Sequence, residues 1–188
     1  MYDYLEAVKG LSPLCSICFD LDRERQARLD VGLGEYLSGH DLYPDARPCL
    51  QALKGAGYFV GVAGNQTARA GRFLRELNLP CDVLATSDEW GETKPDLAFF
   101  EKMIAVSGHD CDEIAYVGDR LDNDIAPAAE AGLFTVWLRR GPWGFILQPG
   151  DLLISGRLRN DAPSLTVNSL GEFVAELTGD HAEHSAVG

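Results

Sequence analysis

Short apolar runs alternate with amphipathic stretches along most of this chain, and that alternation restricts the fold more than any other feature. Residues 14–19, 58–63, 82–85, 114–117 and 134–138 read as strands. Between them, residues 45–56, 66–77, 96–106 and 123–131 carry helical patterning, and residues 165–167 and 170–177 read as a last strand and a closing helix. Parallel strands need long crossover connections, and helices of this length supply them. The pattern therefore predicts an α/β fold of three layers, with a central parallel sheet and helices on both faces. Residues 2–10 resemble a short helix stopped by Gly10, whereas 139–163, rich in Gly and Pro, reads as an irregular surface excursion.

With 188 residues the chain is expected to form one domain over 1–178, followed by a disordered polar tail over 179–188. The formal net charge of −13 disfavours nucleic acid and anionic membranes as partners. It also repels phosphorylated substrates, so any phosphate site needs a local cation. The N-terminal residues lack the basic start and apolar core of a signal peptide. No apolar run approaches the roughly 20 residues that span a bilayer. Five cysteines stand at 15, 18, 49, 81 and 111. Cys15 and Cys18 have redox- or zinc-like spacing, but in a strand they would point to opposite faces. Buried free thiols and a cytoplasmic location are the expectation.

Four short segments carry chemistry, and each lies where a strand or loop gives way to a helix. They are Asp20-Leu21-Asp22, Gly64-Asn65 after the second strand, Lys94-Pro95, and Gly118-Asp119 with Asp124 beyond it. In a parallel sheet such ends share one edge, where ligands bind. Carboxylates converging there repel one another unless a divalent cation sits among them. A ligand set of oxygens alone points to Mg²⁺. Opposite the metal, Lys94 and the backbone amides of Gly64 and Asn65 suit a dianionic group. Asp20 is then placed to attack phosphorus, with Asp22 protonating the leaving oxygen and later activating water.

This ordered set resembles the haloacid dehalogenase superfamily of aspartate-dependent phosphohydrolases. The matching residues are Cys18-Phe19-Asp20-Leu21-Asp22, Lys94-Pro95-Asp96, and Gly118-Asp119 through Asp124. Leu42-Tyr43-Pro44, Ser87 with Gly91, and Ala131-Gly132-Leu133 agree as flanks. The resemblance implies a Rossmann-like (HAD-like) fold and a phosphatase working through an aspartyl phosphate. Asp20 would be the nucleophile and Asp22 the general acid/base. Mg²⁺ would be held by Asp20, Asp22 (through its carbonyl) and Asp119, with Asp124 at or just beyond the ligand sphere. Lys94 would bind the phosphoryl group and orient Asp20.

Three departures matter. Arg23-Glu24 stand where the family usually has a small pair, and Gly64 stands where it has Ser or Thr. Asn65 or Thr67 is a candidate to replace that hydroxyl. About twenty residues separate Asp22 from Leu42, too few for a cap of several helices of roughly a dozen residues each. A capless, open site is expected, accepting a phosphorylated small molecule or a larger phosphorylated partner. Trp143 and Phe145, read as exposed, mark a rim loop or a homo-oligomer contact. The alternative function is a catalytically weakened binding or scaffolding module. A phospho-accepting receiver is disfavoured because Lys94 precedes Asp119. Carbon–halogen hydrolysis is disfavoured because it needs neither Asp22 nor an acidic metal cluster.

Overall fold

The computed structural model describes residues 27, 30, 31, 39–146 and 163–179. The chain forms two compact units, Met1–Tyr36 and Leu37–Gly188. In the first, Ala27, Asp30 and Val31 are described, all exposed. The expected helix over 2–10, the strand over 14–19, Cys15, Cys18, Asp20, Asp22, Arg23, Glu24, Arg25 and Arg28 lie outside the described residues, as do 147–162 and 180–188.

The second unit runs α1 (Ala46–Gly55), β1 (Gly61–Gly64), α2 (Ala68–Glu76), β2 (Val83–Thr86), the short α3 (Ser87–Trp90) and α4 (Leu97–Ser107). It continues with β3 (Ala115–Gly118), a π-turn (Leu121–Ile125), α5 (Ala126–Glu130), β4 (Phe134–Leu138), the short α6 (Trp143–Ile146), β5 (Leu165–Val167) and α7 (Leu170–Thr178). Every described strand pair is parallel. β1 lies beside β2 with Gly64 opposite Thr86. β3, β4 and β5 form a second ladder in which Val117 is opposite Val136, and Val136 opposite Leu165.

Alternating side chains along the strands sort the core onto two faces. Val136 and Leu138 of β4 and Val167 of β5 pack with Cys49 and Leu53 of α1 and Phe173 of α7. On the other face Tyr116 of β3 packs with Phe99 and Phe100 of α4 and Ala128 of α5. Trp137 joins that face against Leu121 and Ile125 of the π-turn. Helices thus cover both sides, as the pattern predicts. Phe99 and Phe100 are fully buried, and each contributes about 1.5–3 kcal/mol of burial. Cys49, Cys81 and Cys111 are free and pack into these clusters. No described helix is long and apolar enough to cross a membrane.

Several boundaries differ from the sequence reading for local reasons. β1 begins at Gly61 because Asp82 claims Val60 first: its Oδ2 accepts the Val60 N–H at 2.7 Å, and its own N–H donates to Val60 O at 2.7 Å. α2 begins at Ala68 because the Thr67 hydroxyl accepts the Ala70 N–H at 3.1 Å and caps the helix. The unforeseen α3 starts on a capping box between Thr86 and Glu89 and stops at Gly91, where φ is 72°. The helix expected over 123–131 is a π-turn followed by α5.

Candidate active site

Three loops meet at the carboxyl ends of β1 and β3. The first follows β1 and carries Gly64 and Asn65. Among the described residues, a Cβ added to Gly64, the position where a hydroxyl side chain was expected, would meet nothing within 4 Å. Asn65 turns its side chain to the main chain of Lys94. Its Oδ1 accepts the Lys94 N–H at 2.8 Å, and its Nδ2 donates to the Lys94 carbonyl at 2.8 Å. Thr67, the other candidate to replace the hydroxyl, is occupied as the cap of α2.

The second loop, between α3 and α4, carries Lys94, joined to Pro95 by a cis peptide bond. Its ammonium lies 2.5 Å from Asp124 Oδ1, with side-chain exposures of 13% and 5%. It also sits 5.9 Å from the centre of the Phe99 ring. Asp96 begins α4 without a side-chain hydrogen bond to its first turn, so its contribution there is its charge near the helix dipole.

The third loop follows β3. Ile125 N–H donates to Arg120 O at 3.1 Å, five residues back, which widens the turn. Such single π-turns recur at functional sites. Here it brings Asp124 back over the end of β3. An added Cβ at Gly118 would lie 2.7 Å from Asp124 Cγ, so only glycine permits that approach. The buried Asp124 carboxylate is fully engaged. Oδ1 accepts from Lys94 Nζ and from Tyr116 Oη at 3.2 Å, and Oδ2 accepts the Arg120 N–H at 3.1 Å. Burial, then the Asp124 charge beside it, pushes the Tyr116 hydroxyl well above its ordinary range.

Asp119, half-buried, stands between β3 and this turn. Its carbonyl accepts Trp137 Nε1–H at 3.1 Å. Burial and the Asp124 charge hold its carboxyl above the ordinary carboxylate range, against the opposing pull of Lys94 and Arg120. Of the four expected metal ligands, Asp20 and Asp22 lie outside the described residues. The remaining two differ in kind: Asp124 is committed to Lys94, whereas Asp119 forms no ion pair among the described residues. Among the described residues no group of three or more Asp, Glu, His or Cys forms a metal site.

Asp122 points elsewhere, paired with Arg120 at 2.9 Å. The Arg120 guanidinium stacks 4.2 Å from the Trp143 ring centre. Trp143 is half-buried, which corrects the reading of it as an exposed interface aromatic. Tyr116 was missed by sequence reasoning. A polar ring two residues before Gly118, on the same strand face, was the available signal.

The family profile for haloacid dehalogenase-like hydrolases matches residues 9–132. Over 104 residues the chain is 36% identical to the glyceraldehyde 3-phosphate phosphatase of Methanocaldococcus jannaschii, covering 54% of this chain and 46% of that protein. It is 35% identical over 110 residues to the ribulose-1,5-bisphosphate 5-phosphatase of Halopiger xanaduensis, covering 57% and 46%. The chain thus spans about half the length of the curated relatives it matches. Among solved structures, a HAD phosphatase from Thermococcus onnurineus superposes with a TM-score of 0.57 at 26% identity, over 73% of this chain and 58% of the other. The parallel sheet, the Lys94–Asp124 pair beside Asp119, and these matches together establish that the chain belongs to the haloacid dehalogenase-like hydrolase family.

Proposed function

We propose that this protein is a Mg²⁺-dependent phosphomonoesterase acting through an aspartyl phosphate on Asp20. The observation that carries the reading is the buried Lys94–Asp124 pair at the sheet edge beside Asp119. In a chain of net charge −13, a lysine fixed at that edge is the cation a phosphoryl group requires. The names of the relatives favour small phosphate esters as the substrate class.

Asp119 fits a hard divalent cation, being a half-buried oxygen donor whose carboxyl resists ionisation because of burial and the Asp124 charge beside it. Asp20 and the carbonyl of Asp22 would complete the ligand set by the family resemblance, with Asp124 just beyond it. When bound, Mg²⁺ supplies Lewis-acid polarisation and charge neutralisation of the phosphoryl oxygens. Lys94 binds the same oxygens, held in place by Asp124. Asp20 attacks phosphorus, and Asp22 protonates the leaving oxygen and then takes a proton from the attacking water. The roles of Asp20 and Asp22 rest on the order of the motifs. The missing side-chain hydroxyl at Gly64 favours slow turnover, since one missing donor costs about 3 kcal/mol of transition-state stabilisation. No cap, a cytoplasmic location and assembly into a homo-oligomer belong to the same proposal.

Hydrolysis of an aryl phosphate, measured with and without Mg²⁺ for the wild type and for Asp20→Asn, tests it. Metal-dependent activity abolished by Asp20→Asn is the expected result, and activity that survives the substitution refutes the nucleophile assignment. Mg²⁺ binding without turnover of any phosphate ester would favour the scaffolding alternative.

A further inference from the structure

We infer that Asn65 is a positioning residue for Lys94: its side chain fixes the main chain from which the ammonium reaches its site. The inference deepens the function proposed above and rests on it for the role of Lys94 toward phosphate.

Lys94 lies in irregular chain between Gly91 and the start of α4, where no strand ladder or helix supplies hydrogen bonds. Its N–H and its carbonyl are both taken by one carboxamide, that of Asn65, at 2.8 Å each. Among the described residues no other hydrogen bond reaches the Lys94 main chain. A carboxamide carries a donor and an acceptor in one plane, like a peptide group, so it mimics a strand partner for a single residue. Asp at this position offers two acceptors and faces the Lys94 carbonyl with like charge. Ala offers neither group, and Gln places the amide one methylene too far.

The clamp has a structural consequence. Asn65 follows directly on β1, which is held in register with β2. Through Asn65 the first ladder grips the Lys94 backbone, and through Lys94 Nζ that backbone is tied to Asp124 beyond β3. The ammonium therefore has both ends of its geometry fixed, one by Asn65 and one by Asp124. Its position is determined without any contact between Asn65 and substrate. The Asn65 carboxamide oxygen and one of its two N–H groups are committed to the Lys94 main chain.

Two measurements on the full chain test this. The first compares Asn65→Asp, Asn65→Ala, Lys94→Met and the Asn65→Ala/Lys94→Met double variant for aryl phosphate turnover and inhibition by inorganic phosphate. Misplacing one positioned group costs on the order of a hundredfold in kcat/KM. We expect that loss in each single variant, with weaker phosphate inhibition. In the Lys94→Met background, Asn65→Ala should then change activity by less than about twofold. Additive losses would overturn the inference and make Asn65 a direct phosphate contact. The second measurement needs no activity. Reductive methylation with ¹³C-formaldehyde reads the reactivity of each lysine, and the Lys94 amine should react several-fold faster in Asn65→Asp while Lys54 and Lys102 keep their rates. Unchanged Lys94 reactivity in both Asn65→Asp and Asn65→Ala overturns the inference. A wild type inactive on every phosphate, with Lys94 still released by Asn65→Asp, would defeat the phosphatase reading and leave the positioning role standing.

Discussion

Replacing Asp124 with Asn is the most direct probe of this site, because the structure specifies what an isosteric amide cannot do. The carboxylate accepts from Lys94 Nζ and Tyr116 Oη on one oxygen and from the Arg120 N–H on the other. An asparagine has a single acceptor. With its oxygen toward Lys94 and Tyr116, its NH₂ meets the Arg120 N–H. Turned over, its NH₂ meets the ammonium. Either way a donor faces a donor, and Lys94, only 13% exposed at its side chain, loses its counter-charge. Removing one partner of a buried pair costs about 3–5 kcal/mol. For a chain of this size each kcal/mol lowers the melting temperature by roughly 2–4 °C. The Asp124→Asn protein should therefore melt about 6–20 °C below the wild type in metal-free buffer at neutral pH. Circular dichroism melts of Asp124→Asn, Lys94→Met and the double variant form the cycle. The double variant should lose clearly less than the sum of the singles, since it leaves no lone charge behind. A melting point for Asp124→Asn within about 2 °C of the wild type would refute the reasoning.

Three further outcomes are expected. Because burial and Asp124 raise the Asp119 carboxyl, the folded metal-free protein holds that proton more tightly than the unfolded chain. Stability from this group therefore falls as pH rises above the ordinary carboxylate range, and Asp119→Asn should stabilise the metal-free protein at neutral pH. Added Mg²⁺ should raise the melting point of the wild type and leave Asp119→Asn unmoved, which a thermal-shift titration reads. Gly64→Ser should fold as well as the wild type, because among the described residues its Cβ meets nothing within 4 Å and Gly64 has no positive φ. It should raise turnover of aryl phosphate by up to about a hundredfold, and no gain would place the phosphoryl group away from the end of β1. Asp45 resists the upward push of burial because Arg140 Nη1 lies 2.7 and 2.8 Å from its two oxygens and Leu170 N–H donates to Oδ2 at 2.9 Å, leaving its pKa below the ordinary 3.8. That stability is complete above the ordinary value and lost as pH falls through the lowered one, so Asp45→Asn should lower stability at neutral pH by about 1–3 kcal/mol and flatten the acid limb of an unfolding curve.

The succession of strands and helices along the chain, the parallel class and the order of the chemical motifs were all written in local patterns. β4 and β5 fall on the residues the apolar runs mark, because each run is bounded by turn-forming chain and buried on both faces or at its end. The candidate residues Lys94, Asp119 and Asp124 stood out in the sequence for a related reason: each lies where a strand or loop gives way to a helix, and in a parallel sheet such ends share one edge. The starts of β1 and α2 were not legible, since Asp82 and Thr67 set them through side-chain bonds that periodicity does not register.

The sequence by itself determined an α/β chain with its acidic and lysine motifs at strand ends, and with those motifs a family. It did so because burial, helix length and strand alternation are local constraints. Only the tertiary structure decided what those residues do to one another. It separated Asp124, held by Lys94, from Asp119, whose carboxyl is raised by burial and the Asp124 charge, and from Asp122, which pairs with Arg120. It turned the Asn65 side chain to the backbone of Lys94, 29 residues away. Contacts across such separations depend on where a parallel sheet places its loops, and no short-range pattern encodes that.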